Sequence, residues 1–177
     1  MLIGALQAPL YSVSDGQLTV QIPTELQPNT DYSIVVGANG GYTLPDSLTL
    51  APVQPGVAAS NGRVTAQHAL DFSPVTPDSP ATGGEMIILT LVGMGASDPP
   101  VSSGAAAPSD PLATTVIQPM VTVGGQQADI VFAALMPGAV GLYQIELTVP
   151  AGLPSGDQPV VVAQGGVIAN IAVLAVQ

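Results

Sequence analysis

His68 is the only imidazole in the chain, and Asp71 stands three positions after it. Joined by one of the many serines, that pair would be the material of a Ser-His-Asp relay, in which the ring takes the seryl proton and the carboxylate orients the ring. No Gly-x-Ser-x-Gly sequence is present to hold a serine on the strained turn such a nucleophile needs. Cysteine is absent, which removes thiol nucleophiles, thiolate zinc sites and disulfides together. Glycine pairs such as Gly83-Gly84 lack the spacing and the lysine of a phosphate loop. Carboxylate oxygens suit calcium, but the aspartates are scattered singly, mostly in turns where their side chains bond the backbone. These residues point to no enzyme, no metal site and no cofactor.

Aromatic rings offer the other chemistry. The chain has no tryptophan, four tyrosines and two phenylalanines, and Tyr11, Tyr32 and Tyr42 form the one cluster able to supply a platform for a glycan or protein ligand. Core packing is the alternative for each. Tyr143 follows Gly141-Leu142 at the start of an alternating segment, where a corner tyrosine ties a loop to a sheet through its hydroxyl.

Charge narrows the partners. Twelve acidic residues face one basic residue, Arg63, and the formal charge is −11. Nucleic acid is excluded, because phosphate recognition runs on lysine and arginine. Anchoring to anionic lipid is disfavoured for the same reason, and a lysine isopeptide crosslink is impossible. No apolar run approaches the roughly 18–20 residues of a membrane-spanning helix, so no membrane insertion is expected. Residues 1–9 are apolar but carry no basic leader segment, so a signal for export is expected upstream of this chain.

The elements that must position these groups are strands. Twenty glycines and eighteen prolines interrupt the chain too often for helices and suit short strands with tight turns. Apolar alternation predicts strands near residues 85–92, 116–123, 128–134, 142–149, 158–164 and 167–176. A short hairpin is expected over residues 63–72, and residues 96–115, poor in periodic signal, read as a long loop.

The chain also repeats. Ile3-Gly4-Ala5-Leu6 runs parallel to Val123-Gly124-Gly125-Gln126, and Leu18-Thr19-Val20-Gln21-Ile22-Pro23 to Ile145-Glu146-Leu147-Thr148-Val149-Pro150. Ile34-Val35-Val36 before Asn39-Gly40 matches Val160-Val161-Val162 before Gly165-Gly166. Two copies of one sandwich unit follow, a partial one over residues 1–53 and a complete one over residues 54–177. The first copy has no counterpart of the strand at residues 85–92, so its sheet edge and core must be covered by something else. The expected cover is a strand from another chain, or packing of the first copy against the second or against a symmetry mate.

The residues Gly93-Met94-Gly95, Pro99-Pro100-Val101, Val121-Thr122-Val123-Gly124-Gly125, Pro137-Gly138, Val140-Gly141-Leu142-Tyr143-Gln144 and Val149-Pro150-Ala151-Gly152-Leu153-Pro154 resemble a C-terminal domain family named after Solibacter. The unit beneath resembles the IPT/TIG immunoglobulin-like fold. The resemblance implies tandem immunoglobulin-like (IPT/TIG-type) all-β sandwiches, the first incomplete at its N-terminal side, at the C-terminal end of a large exported protein. No activity is assigned to that family. The function expected is a structural or adhesive module at the cell surface or outside the cell, partnered by neighbouring domains of its parent protein and open to self-association through a strand edge. A glycan- or protein-binding module is the alternative.

Overall fold

The computed structural model describes residues 1–177, and every regular element in it is a strand. No helix is long and apolar enough to cross a membrane.

The larger unit is a pair of facing seven-stranded sheets. One runs in the order Ala59–Ser60, Arg63–Val64, Ala172–Val176, Gly156–Gln164, Pro119–Val123, Gln126–Gln127, with Val167–Ile168 folded back on Gly156–Gln164. The other runs Ala66–His68, Met86–Val92, Tyr143–Thr148, Asp129–Leu135, Thr114–Thr115, Ser97–Asp98, with Gly56–Val57 also paired to Met86–Val92. Alternation explains which side chains meet between them: Tyr143, Ile145 and Leu147 point inward from one strand while Gln144, Glu146 and Thr148 do not. Ile87, Leu89, Leu91, Val121, Val123, Val160, Val162 and Leu174 join them in a core of 25 buried residues.

Three sequence expectations change here. The strand expected at residues 167–176 is two, Val167–Ile168 and Ala172–Val176, parted at residues 169–171. The hairpin expected at residues 63–72 lies a few residues on, where the chain turns back after His68 so that Gln67 bridges Pro74 antiparallel, and a second hairpin, of Ala59–Ser60 with Arg63–Val64, precedes it. The turn of the Ala59–Val64 hairpin is Asn61-Gly62, both at positive φ, the conformation that a two-residue hairpin requires. The chain then changes sheets, and Ala66–His68 pairs with Met86–Val92 in the facing layer. The expected loop at residues 96–115 carries Ser97–Asp98 and Thr114–Thr115, which pair with each other and extend a sheet edge.

The smaller unit follows the same plan with less material. A four-stranded sheet, ordered Leu6–Gln7, Leu2–Ile3, Thr30–Val35, Asp46–Leu50, faces the hairpin of Leu10–Ser14 with Gln17–Val20. Gly37–Ala38 and Gly41–Tyr42 form a further hairpin. The repeat seen in the sequence is a repeat of register. Ile3 pairs with Leu6 and Ile34 as Val123 pairs with Gln126 and Val160. Ile34 meets Asp46 and Tyr32 meets Leu48, as Val160 meets Ala172 and Gln158 meets Leu174. Even the irregularity recurs: the ladder skips Tyr11 between Leu10 and Ser12, as it skips Val131 between Ile130 and Phe132. Gly4 and Gly124 occupy the same turn position, at φ of 55° and 58°. A Cβ on Gly4 would lie 2.3 Å from the Tyr32 ring, and one on Gly124 would lie 2.7 Å from Gln158 and Leu153.

The two units differ in how well they are filled. Only Ile3, Ala8 and Leu26 make the buried cluster of the smaller one, with Val20, Tyr32, Ile34, Leu48 and Leu50 partly buried around them. Leu89 is fully enclosed in the larger unit, so Leu89→Ala should cost about 2–5 kcal/mol. Val20→Ala, in the half-open core, should cost less than about 1.5 kcal/mol. Chemical denaturation read by resonances from each unit checks both, and equal losses would contradict the difference in packing.

Candidate functional site

The feature that separates the two units lies on the strand Gln17–Val20, termed the edge strand below. One side of it pairs with Leu10–Ser14; no strand pairs with the other. Its counterpart Tyr143–Thr148 is flanked on both sides, and the second flank is Met86–Val92, termed the cover strand, in register from Met86 opposite Thr148 to Leu91 opposite Tyr143. Without a cover strand, the inner face of the smaller hairpin is open. Val13 is 65% exposed where its counterpart Ala133 is 2%, and Leu18 and Val20 are half-buried where Ile145 and Leu147 are fully enclosed. Leu10 is 55% exposed on the same hairpin. Unpaired backbone groups and uncovered aliphatic side chains therefore coincide along one edge.

The larger unit does not fill that opening, although it touches the smaller one nearby. Thr24 N–H donates to Ser103 Oγ at 2.8 Å, and Thr24 Oγ1 donates to the Val101 carbonyl at 3.0 Å. Ser103 N–H donates to Glu25 Oε1 at 3.1 Å, the Ser103 hydroxyl donates to the other Glu25 oxygen, and Gly104 N–H donates to Gln21 Oε1 at 2.7 Å. These bonds to Ser103 hold the Glu25 carboxyl below its ordinary pKa. The connection between the units is fixed as well: Val53 is buried, and Gln54 N–H donates to the Gly93 carbonyl at 2.8 Å. All these contacts meet the end of the small hairpin and the linker, leaving Gln17 and Thr19 exposed. Of the expected covers, packing of the first copy on the second is thus real but misses the groove.

The three candidate tyrosines do not form one platform. Tyr32 turns into the smaller core, and its hydroxyl accepts from Gln27 N–H at 2.9 Å and donates to the Gln27 carbonyl at 3.2 Å. Tyr42 is 79% exposed at the base of its own hairpin, its ring lying over its pair partner Gly37. Tyr11, the residue skipped by the ladder, is 60% exposed and lines a hollow of about 350 Å³ at the junction of the units, with Leu10, Gln21, Gly104 and Val140. Tyr143 takes the corner role: it is buried, its hydroxyl donates to the Gly95 carbonyl, and burial raises its pKa.

The histidine finds a different carboxylate from the one its sequence neighbours offered. Asp71 closes its own turn by accepting from Ser73 N–H and Oγ, which lowers its pKa. His68 Nδ1 lies 2.7 Å from Glu85 Oε1, and Nε2 lies 3.3 Å from both the hydroxyl and the carbonyl oxygen of Ser79. Ser79, His68 and Glu85 thus stand in the order of a relay, joining residues far apart in sequence. An oxyanion needs preorganised donors. Pro77 and Pro80 have no N–H, Ser79 N–H is bonded to Thr76, and Ala81 N–H is bonded to Ala175. The cluster has the geometry of a clip between the Thr76–Ser79 turn and the start of the cover strand. Arg63 is held bidentately by Asp157, at 2.5 and 2.7 Å, and no three His, Cys, Asp or Glu side chains gather around a common point.

No family model, curated protein or solved structure matches the chain.

Two pH responses follow. The Glu25 contribution to the junction is present above the unfolded carboxyl pKa of about 4.3 and is lost as pH falls through the lowered folded value. Acid titration followed at the Ser103 amide should show release of that contact below about pH 4.3 in the native protein and no such step in Glu25→Gln. Tyr143 acts in the opposite range. Its stabilising neutral form is complete below the unfolded tyrosine pKa of about 10 and is lost as pH rises through the raised folded value. Tyr143→Phe should remove this alkaline component while costing about 1–3 kcal/mol for the unpartnered Gly95 carbonyl; an unchanged alkaline unfolding curve would count against it.

Proposed function

We propose that this chain is a non-catalytic structural or adhesive module of an exported protein, acting at the cell surface or outside the cell. In this reading its two units are immunoglobulin-like sandwiches of the IPT/TIG type, related to the C-terminal family named after Solibacter, and its partners are the neighbouring domains of the parent protein. The observation that carries the proposal is the double attachment of the units. The linker is docked through Val53 and Gln54, and the loop at Val101, Ser103 and Gly104 is bonded to Gln21, Thr24 and Glu25. Two attachment points restrain a hinge that a linker alone would leave free, which is what a spacer requires. The bond of Ser79 N–H back to Thr76, which withdraws that serine's own amide from an oxyanion site, supports the non-catalytic part.

A second reading, a module for a glycan or protein ligand, is favoured by one feature, the junction hollow with Tyr11 on its wall. The two readings separate by experiment. NMR relaxation should give both units one rotational correlation time, and Ser103→Ala combined with Glu25→Ala should let them diverge. Independent tumbling of the native units would sink the spacer. A panel of polysaccharides and matrix proteins should yield no saturable partner. A ligand whose binding is lost in Tyr11→Ala would favour the second reading.

A further inference from the structure

We infer that the turn at residues 69–72 is a plug that seats in the junction hollow of a second copy of this chain, so that copies join head to tail. An exposed leucine alone says little, but Leu70, 96% exposed, stands two residues from Phe72, which is 62% exposed and has a φ of 59°. Left-handed backbone is costly for a bulky aromatic residue and persists only where surrounding bonds impose it. Here they do. Phe72 N–H donates to the His68 carbonyl at 2.9 Å, Gln67 Nε2 donates to the Phe72 carbonyl at 2.9 Å, and Asp71 Oδ1 accepts from both Ser73 N–H and Ser73 Oγ. A braced turn thus holds two large apolar side chains out from the surface, and bracing lowers the entropy lost when they dock.

The hollow complements that turn in shape and charge. It encloses about 350 Å³, Leu10 and Val140 give it apolar walls, and no acidic side chain lines it. Gln21 Oε1 already accepts from Gly104 N–H, which leaves the Gln21 amide nitrogen and the Tyr11 hydroxyl to donate to Asp71 Oδ2, the oxygen that the turn itself does not use. In a chain of formal charge −11, a socket free of carboxylates admits the acidic turn of another copy. Placement fixes the direction of the contact. The turn leaves the strand Ala66–His68 where His68 lies opposite Ile87, near the start of the cover strand, whereas Val140 lies three residues before Tyr143, which is opposite Leu91 near the other end. The seven residues of the cover strand span about 20 Å, so the turn does not reach the hollow of its own chain. Plug and socket are different surfaces, and a contact of that kind propagates as an open row of copies.

The test measures the mass of the full chain by sedimentation equilibrium and light scattering over a concentration series. The average mass should rise with concentration and pass that of two copies. Phe72→Gly removes the ring and suits the left-handed turn at no steric cost, so it should melt no lower than the native chain while associating at least about tenfold more weakly. A chain without the plug, Leu70→Ser with Phe72→Gly, keeps its socket; a chain without the socket, Leu10→Ser with Tyr11→Ala, keeps its plug, and all four positions are exposed. Each variant alone should be monomeric, and an equal mixture should form a one-to-one complex that grows no further. A native chain that stays monomeric, or a mass that levels off at two copies, would overturn the proposal. So would association unchanged by Phe72→Gly, or a mixture that forms no complex. No glycan or foreign protein is in any sample, so failure of the ligand reading of the hollow leaves this result untouched, and the spacer proposal stands or falls on the tumbling of the two units within one copy.

Discussion

A strand inside a sandwich has two backbone edges and one inward face, and all three must be satisfied at once. Met86–Val92 does this for the larger unit. It pairs with Tyr143–Thr148 on one side, with Ala66–His68 and Gly56–Val57 on the other, and sends Ile87, Leu89 and Leu91 inward. Contacts at both its ends fasten neighbouring side chains. Tyr143 is enclosed and bonded to Gly95 just beyond the strand's end, and His68 is fastened to Glu85 just before its start. The smaller unit shows what the same plan becomes without that strand: the opposing sheet and its turns persist, while the hairpin facing them keeps only the inner end of its core.

Persistence of the remaining plan has a local cause. The turn at Gly4-Ala5 and the turn at Gly124-Gly125 hold both central residues at positive φ, the twist that joins antiparallel strands across two residues. Each glycine is also pressed against the next strand, Gly4 by Tyr32 and Gly124 by Gln158, so the turn sets the spacing between strands as well as their direction. The side chains that press them are themselves tied to loops. The Tyr32 hydroxyl engages Gln27, and Gln158 Nε2 donates to the Pro154 carbonyl at 2.7 Å. One structural job is thus done by a phenol in one unit and an amide in the other.

The junction draws on residues that no periodicity marks. Val101, Ser103 and Gly104 lie in a stretch rich in proline, serine and alanine, yet they carry the hydrogen bonds that join the units, and Ala107 a few residues on is buried in the larger core. Gly104 lies against the Pro9 ring, where a Cβ would stand 3.4 Å away. The hollow beside Tyr11 opens at this meeting, between the small hairpin's end and Gly138 and Val140.

How much could be read from the chain alone follows from which interactions are local. Strand alternation, glycine turns and strand-ending prolines are properties of a few adjacent residues, so the all-β class, the strands of the larger unit and the repeat were legible, and so was the strand missing from the smaller one. The corner role of Tyr143 was legible for the same reason, because Gly141-Leu142 and the alternation after it fix where the ring points. Pairings between distant segments were not. His68 looked to Asp71, its neighbour in sequence, but the turn that Asp71 closes with Ser73 turns that carboxylate to its own backbone, and the register of Ala66–His68 on Met86–Val92 brings Glu85 to the ring. The three tyrosines looked like a cluster because they are close in sequence, whereas a bulge, a core-facing strand and a separate small hairpin send them to different places. By itself the sequence determined which segments are strands and that one is lacking. Only the tertiary structure decided that the lack leaves an open groove instead of a covered one, because covering depends on where the larger unit docks, and its loops meet the end of the small hairpin and not its edge.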